Sequence, residues 1–146
     1  MSRSGYVDDW DYDQWSQIMY RGAVVSAIRG RRGQAFLKEM LAAMDALPEK
    51  KLIAHELEQE GTVCAIGSVG KARGIDMKDI DPEDSAKVSS IFGIAESMAR
   101  EIVFMNDEAN HVDTPERRFD RMYQWIKIKY AHDSNARPRR FYQCHR

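Results

Sequence analysis

From Gln34 to Leu47 the apolar residues Phe36, Leu37, Met40, Leu41, Met44 and Leu47 recur at spacings of one, three and four. That period lays six large side chains along one stripe of an α-helix and on no single face of a strand. A helix with such a stripe must bury it, and the neighbouring segments read as further helices. Asp13 to Ile28 forms a first helix, capped by Asp11 or Asp13. Trp15, Ile18, Met19 and Val25 point one way on it, and Gly22 and Ala23 allow close approach. The glycines of RGRRG break the chain before the second helix, and Pro48 stops that helix.

The next segment, KLIAHELEQEGTVCAIG, changes character. A turn glycine, Gly61, lies between two short runs, which predicts a small hairpin with strands near 52–58 and 62–65. AIGSVGKARG then reads as a short helix ended by Gly74 in the left-handed conformation. A fourth helix opens at DPED, with Asp81 as cap and Pro82 at the first helical position. Gly93 interrupts it. IAESMAREIVFMN continues as a fifth, with Ile94, Ala95, Met98, Ala99 and Ile102 on one face. The sixth starts at Thr114 and Pro115 and carries Phe119, Met122, Tyr123, Ile126 and Tyr130 as its stripe. The expected fold is mainly α: a single domain of five to six helices with a small β-hairpin insertion. Residues 1–131 form the domain and 132–146 a basic, flexible tail, since Pro138 prevents further helix.

At 146 residues the chain can bury a sizeable core without disulfides or metals. No apolar run reaches the ~20 residues a membrane helix needs. The start, MSRSGYVDDWDYDQW, lacks the apolar segment of a secretory signal. Cys64 and Cys144 lie far apart and make no metal-type pair. A reduced chain in the cytoplasm is the expectation.

VCAIGSVGKARG is the stretch that most resembles chemistry. A phosphate loop needs Gly, four residues, then Gly-Lys and Ser or Thr. Counted back from Gly70 and Lys71, the first position is Ala65, and Ala72 follows the lysine. The dinucleotide pattern Gly-x-Gly-x-x-Gly also fails at Ala65. Gly67 and Gly70 read instead as close-packing positions of a helix. HELEQE carries His55, Glu56, Glu58 and Glu60, but the second histidine of a zinc-protease signature is Gln59 here. NDEANHVD gathers Asp107, Glu108, His111 and Asp113 without a calcium-loop spacing. Asn106 reads as the end of the fifth helix, and Asp113 and Thr114 as the start of the sixth. Cys64 and His55 could face one another across the hairpin, but a free cysteine is most often a small buried apolar group. The chain is therefore expected to have no catalytic residue, no metal and no cofactor.

Charge is distributed unevenly. From Arg117 to the end there are nine Lys and Arg against Asp120 and Asp133, a net +7. Residues 1–116 therefore carry −8 of a total of −1. Arg117, Arg121, Lys127 and Lys129 on the last helix, with Arg137, Arg139 and Arg140 beyond it, suit phosphate contact. The start is acidic and aromatic, with Asp8, Asp9, Trp10, Asp11 and Asp13, a composition that suits a basic protein surface.

The pieces RGAVVSAIRGRRGQAFLKEMLAAMDALPEKKLIAHELEQEGTVCAIGSVGKARGID, DPED, FGIAESMAREIVFMNDE and TPERRFDRMYQWI together resemble a family of small proteins of tailed bacteriophages and prophages of proteobacteria. The resemblance covers residues 21 to about 126. It implies a phage setting and a mostly helical fold, and it brings no activity and no catalytic residue with it. The reading reached is a non-enzymatic phage or prophage accessory protein. It acts by binding a host protein or ribonucleoprotein complex, as an inhibitor of a bacterial defence system for example. The alternative is a nucleic-acid-binding accessory protein that uses the basic last helix and tail.

Overall fold

Helices α1 (Gln14–Arg29) and α2 (Arg31–Asp45) are joined by the single residue Gly30, which is extended at φ −64°, ψ 161°. The computed structural model describes residues 2–6, 14–110 and 113–134, with side chains to 130. Of the two glycines of RGRRG, Gly30 makes the break and Gly33 lies buried inside α2. A Cβ on Gly33 would stand 2.0 Å from the Ala27 carbonyl oxygen. The bend therefore folds the first turn of α2 onto the last turn of α1, and only glycine fits there. This is why α2 begins three residues ahead of the expected Gln34. It ends at Asp45, two residues before the expected Leu47.

The stripe of α2 is buried as its period requires, with Phe36, Leu37, Met40 and Met44 all at or below 3% exposure. It packs against α1, α3 (Ala65–Arg73) and α6 (Pro115–Ser134). Between α2 and α3 the hairpin is shorter than expected: β1 is Glu58–Gln59 and β2 is Thr62–Val63, antiparallel with Glu58 opposite Val63. Glu60 and Gly61 both have positive φ, at 52° and 81°, as a two-residue turn of the I′ kind demands. Beyond the ladder the Cys64 N–H still bonds to the Leu57 carbonyl and the Ile53 N–H to the Val63 carbonyl, but the positive φ of His55, 71°, breaks the extended run. Leu52 and Leu57 are buried on a winding path, and the Leu52 N–H bonds to the Pro115 carbonyl instead. Cys64 and Ala65, expected in the second strand, cap and open α3.

Gly74 ends α3 at φ 71°. Helix α4 (Ser85–Phe92) is capped by Asp84, whose carboxylate accepts from the Lys87 N–H at 3.1 Å. Asp81 caps only the preceding turn, through the Glu83 N–H, so the helix starts later than Pro82. Helix α5 (Glu96–Asp107) contains Asn106 in helical conformation and does not end on it. Thr114 caps α6 through the Arg117 N–H. Helix α6 runs to Ser134, past the expected boundary at 131; residues 135–146 of the expected tail lie outside the described residues. The described residues thus form six helices and one hairpin around a continuous apolar core, a mainly α fold. No helix among them is long and apolar enough to cross a membrane.

Candidate interaction surface

The glycine-bearing stretch is scaffold. Ala65 to Gly70 are buried in α3. A Cβ on Gly67 would stand 2.0 Å from the Leu57 carbonyl oxygen, and one on Gly70 would stand 2.5 Å from Met77 Sδ. Both glycines let the helix lie against neighbouring chain, so their amides are not presented to a phosphate.

Cys64 and His55 both approach a polar knot under the chain's first residues. The Arg3 guanidinium forms two hydrogen bonds to Asp107, 2.7 Å from Nε and 2.6 Å from Nη2, and both side chains are 1% exposed. Arg3 Nη1 lies 3.8 Å from Cys64 Sγ, which also accepts from the Gly67 N–H. His55 Nδ1 stands 3.8 Å from Asp107 Oδ2. Asn106 donates to Asp107 and to the Ile53 carbonyl and accepts from the Ala65 N–H. Burial alone would raise the Asp107 pKa, but the hydrogen bonds and charge of Arg3 hold it below the usual carboxylate range. Cys64 thus caps α3 and meets a guanidinium, and His55 meets a carboxylate: the cluster ties the start of the chain to α3 and α5.

The oxygen-rich stretch after α5 is shared out in the same way. Asp107 pairs with Arg3, Glu108 with the Ser4 hydroxyl, and Asp113 with Arg121. His111 lies outside the described residues. Among the described residues no group of three or more His, Cys, Asp or Glu could hold a metal ion.

The basic helix α6 divides its cations between two tasks. Arg118 donates to the carbonyls of Asn106 and Leu52, each at 3.0 Å. Arg121 bonds Asp113 at 2.5 Å and the carbonyls of Met105 and Asn106. These two side chains satisfy the open carbonyl end of α5, where positive charge is favoured. Arg117 and Lys127 are exposed, Lys127 over the Tyr123 ring, and Lys129 is half-buried. Glu116 and Asp120 are exposed on the same helix, so its described surface carries both signs. Arg137, Arg139 and Arg140 lie outside the described residues, as do Asp8, Asp9, Trp10, Asp11 and Asp13.

Helix α1 differs from every other element. Its core side is Val24 and Ile28, with Tyr20 and Ala27 half-buried beside them. The stripe read from the sequence faces the other way. Trp15 is 70% exposed, Met19 59%, Ile18 55% and Val25 41%. Positions 15, 18, 19, 22 and 25 share one helical face, and a Cβ on Gly22 at its centre would meet nothing within 4 Å. Helix α1 holds no Asp or Glu; its cations are Arg21, held by Glu101, and the exposed Arg29. Ile128 of α6 is also 59% exposed. The Gln34 amide bridges the carbonyls of Ile28 and Lys129, so α6 passes the end of α1. The clue in the sequence was that α1 is apolar on two sides while one side suffices for the core. No protein-family model, curated protein or solved structure matches this chain.

Proposed function

We propose that this is a non-enzymatic binding protein whose working surface is the outward apolar face of α1. The observation that supports the reading is the exposure of Trp15, Ile18, Met19 and Val25 together at helical spacing. Scattered exposed apolar residues are ordinary, but a contiguous row on one helix marks a contact surface. Tryptophan and tyrosine are frequent anchors of such contacts. Trp10 and Tyr12 precede this face in the chain, among the aspartates of the acidic start, which would add charge to it. The resemblance to phage and prophage proteins suggests the setting: the cytoplasm of a bacterial host, with a host protein or ribonucleoprotein complex as target and inhibition of a defence system as one outcome. Nucleic-acid binding through α6 has less support, because Arg118 and Arg121 are committed to carbonyls and Asp113.

Affinity capture from the bacterial host after nuclease treatment tests this reading. The native chain should retain a protein partner, and Ile18→Asp should lose it. Capture that is unchanged by Ile18→Asp, or that disappears with the nuclease, overturns it.

A further inference from the structure

We infer that the α1 face pairs with the same face of a second copy of this chain, the two helices antiparallel about a two-fold axis at Gly22. This rests on the reading of α1 as the working surface and names its first occupant.

Gly22 is the centre of the argument. Glycine in mid-helix is unfavourable relative to alanine, so it needs a reason. Gly33 has one inside the fold, the Ala27 carbonyl 2.0 Å from its would-be Cβ. Gly22 has none among the described residues, since its Cβ would meet nothing within 4 Å. A second helix crossing at that point would supply it, because the missing side chain lets two backbones approach.

The register also agrees. A two-fold axis at Gly22 pairs positions whose numbers add to 44. Met19 then faces Val25 and Ile18 faces Ser26, so the centre is apolar and uncharged. Trp15 faces Arg29, a cation against an aromatic ring. Arg29 is the cation at the end of this face, and α1 holds no acid. An antiparallel pair sets each Arg29 against the other copy's Trp15, twice; a parallel pair would set the two Arg29 cations together. The same surface is thus complementary to itself, as a two-fold interface requires. A face of 16 residues is about 24 Å long. At a helix width of about 10 Å it covers roughly 240 Å² per copy, well under the roughly 800 Å² per partner of a stable interface, so the pair should be reversible.

Sedimentation velocity of the full chain over a wide concentration range tests the pairing. The native protein should pass from monomer to dimer as concentration rises. Ile18→Asp should remain monomeric with unchanged circular dichroism. Gly22→Ala should raise the melting temperature of dilute protein while weakening dimerisation by about tenfold, the opposite signs that a methyl group on an exposed helix but inside a crossing would produce. Arg29→Glu should weaken the dimer, because it removes the cation from both Trp15 rings. A monomer at every concentration overturns the pairing and leaves the binding face to the capture experiment. A dimer indifferent to Gly22→Ala and to Arg29→Glu overturns it too.

Discussion

Gly22 and Gly67 are both helical glycines, and they should respond in opposite ways to the same added methyl group. At Gly67 the new Cβ would sit 2.0 Å from a backbone carbonyl that is itself bonded to the Cys64 N–H. Neither chain can give way cheaply, so Gly67→Ala should destabilise the fold by about 3 kcal/mol. At Gly22 the methyl enters open space, and Gly22→Ala should stabilise dilute protein by about 0.5–1 kcal/mol through helix propensity alone. Urea denaturation of the two variants at low concentration checks both signs. A stable Gly67→Ala would mean that the contact between α3 and residue 57 is looser than described. The packing role of Gly67 and Gly70 was legible from failed motif positions, Ala65 and Ala72. The Arg3–Asp107 pair was not legible, because 104 positions separate two residues that carry no local pattern.

At the scale of elements, propensity and capping located most helices but not all their ends. Asp84 displaced Asp81 as the cap of α4, because Asp81 is already engaged with the Glu83 N–H in its own turn. The hairpin shrank because His55 takes a positive φ of 71°, which interrupts the extended chain between Ile53 and Leu57 although both still bond to the second strand's end. Its turn keeps Glu60 at a φ of 52°, a conformation that asparagine tolerates better than glutamate. Glu60→Asn should therefore raise stability by about 0.5 kcal/mol, read as a higher melting temperature; a lower one would show that the Glu60 side chain contributes something at this exposed position. Helix α1 is the informative failure. Its stripe has the right period for a core face, and periodicity cannot say which of two apolar sides faces inward. Val24 and Ile28, at 1% and 6% exposure, take the core, and Arg21 on the flank beside them pairs with Glu101 of α5 at 2.9 Å. Helix α6 shows the complementary lesson for charge. Counting cations suggested a phosphate surface, but Arg118 and Arg121 lie where α5 leaves its last carbonyls open.

For the molecule as a whole, residues 2–6 act as a strap, and its two fastenings titrate at opposite ends of the pH scale. Arg3 is tied to Asp107, and the Tyr6 hydroxyl donates to Glu101 at 2.6 Å, with its ring against Tyr20 and Phe104. The Asp107 pKa is lowered in the fold, so the folded protein releases that proton more readily than the unfolded chain. Its contribution is complete above the ordinary aspartate value of about 3.9 and is lost as pH falls through the lower folded value. Burial, and then the bond to Glu101, raise the Tyr6 pKa. The neutral phenol is the form the fold keeps, so its contribution is complete below about pH 10 and is lost as pH rises beyond that. Stability should therefore be flat between about pH 5 and 9 and fall on both sides. Asp107→Asn should lower the plateau by about 3 kcal/mol, because it leaves Arg3 without a countercharge, and should make the acid limb shallower. Part of that limb should survive, since Arg73 also lowers the Glu39 pKa. Tyr6→Phe should make the alkaline limb shallower, part of it surviving because burial also raises the Tyr20 pKa, and leave the acid one as it was. Melting temperature against pH for the native chain and both variants checks this. An acid limb equally steep in Asp107→Asn would show that Asp107 is not the group whose protonation releases the strap.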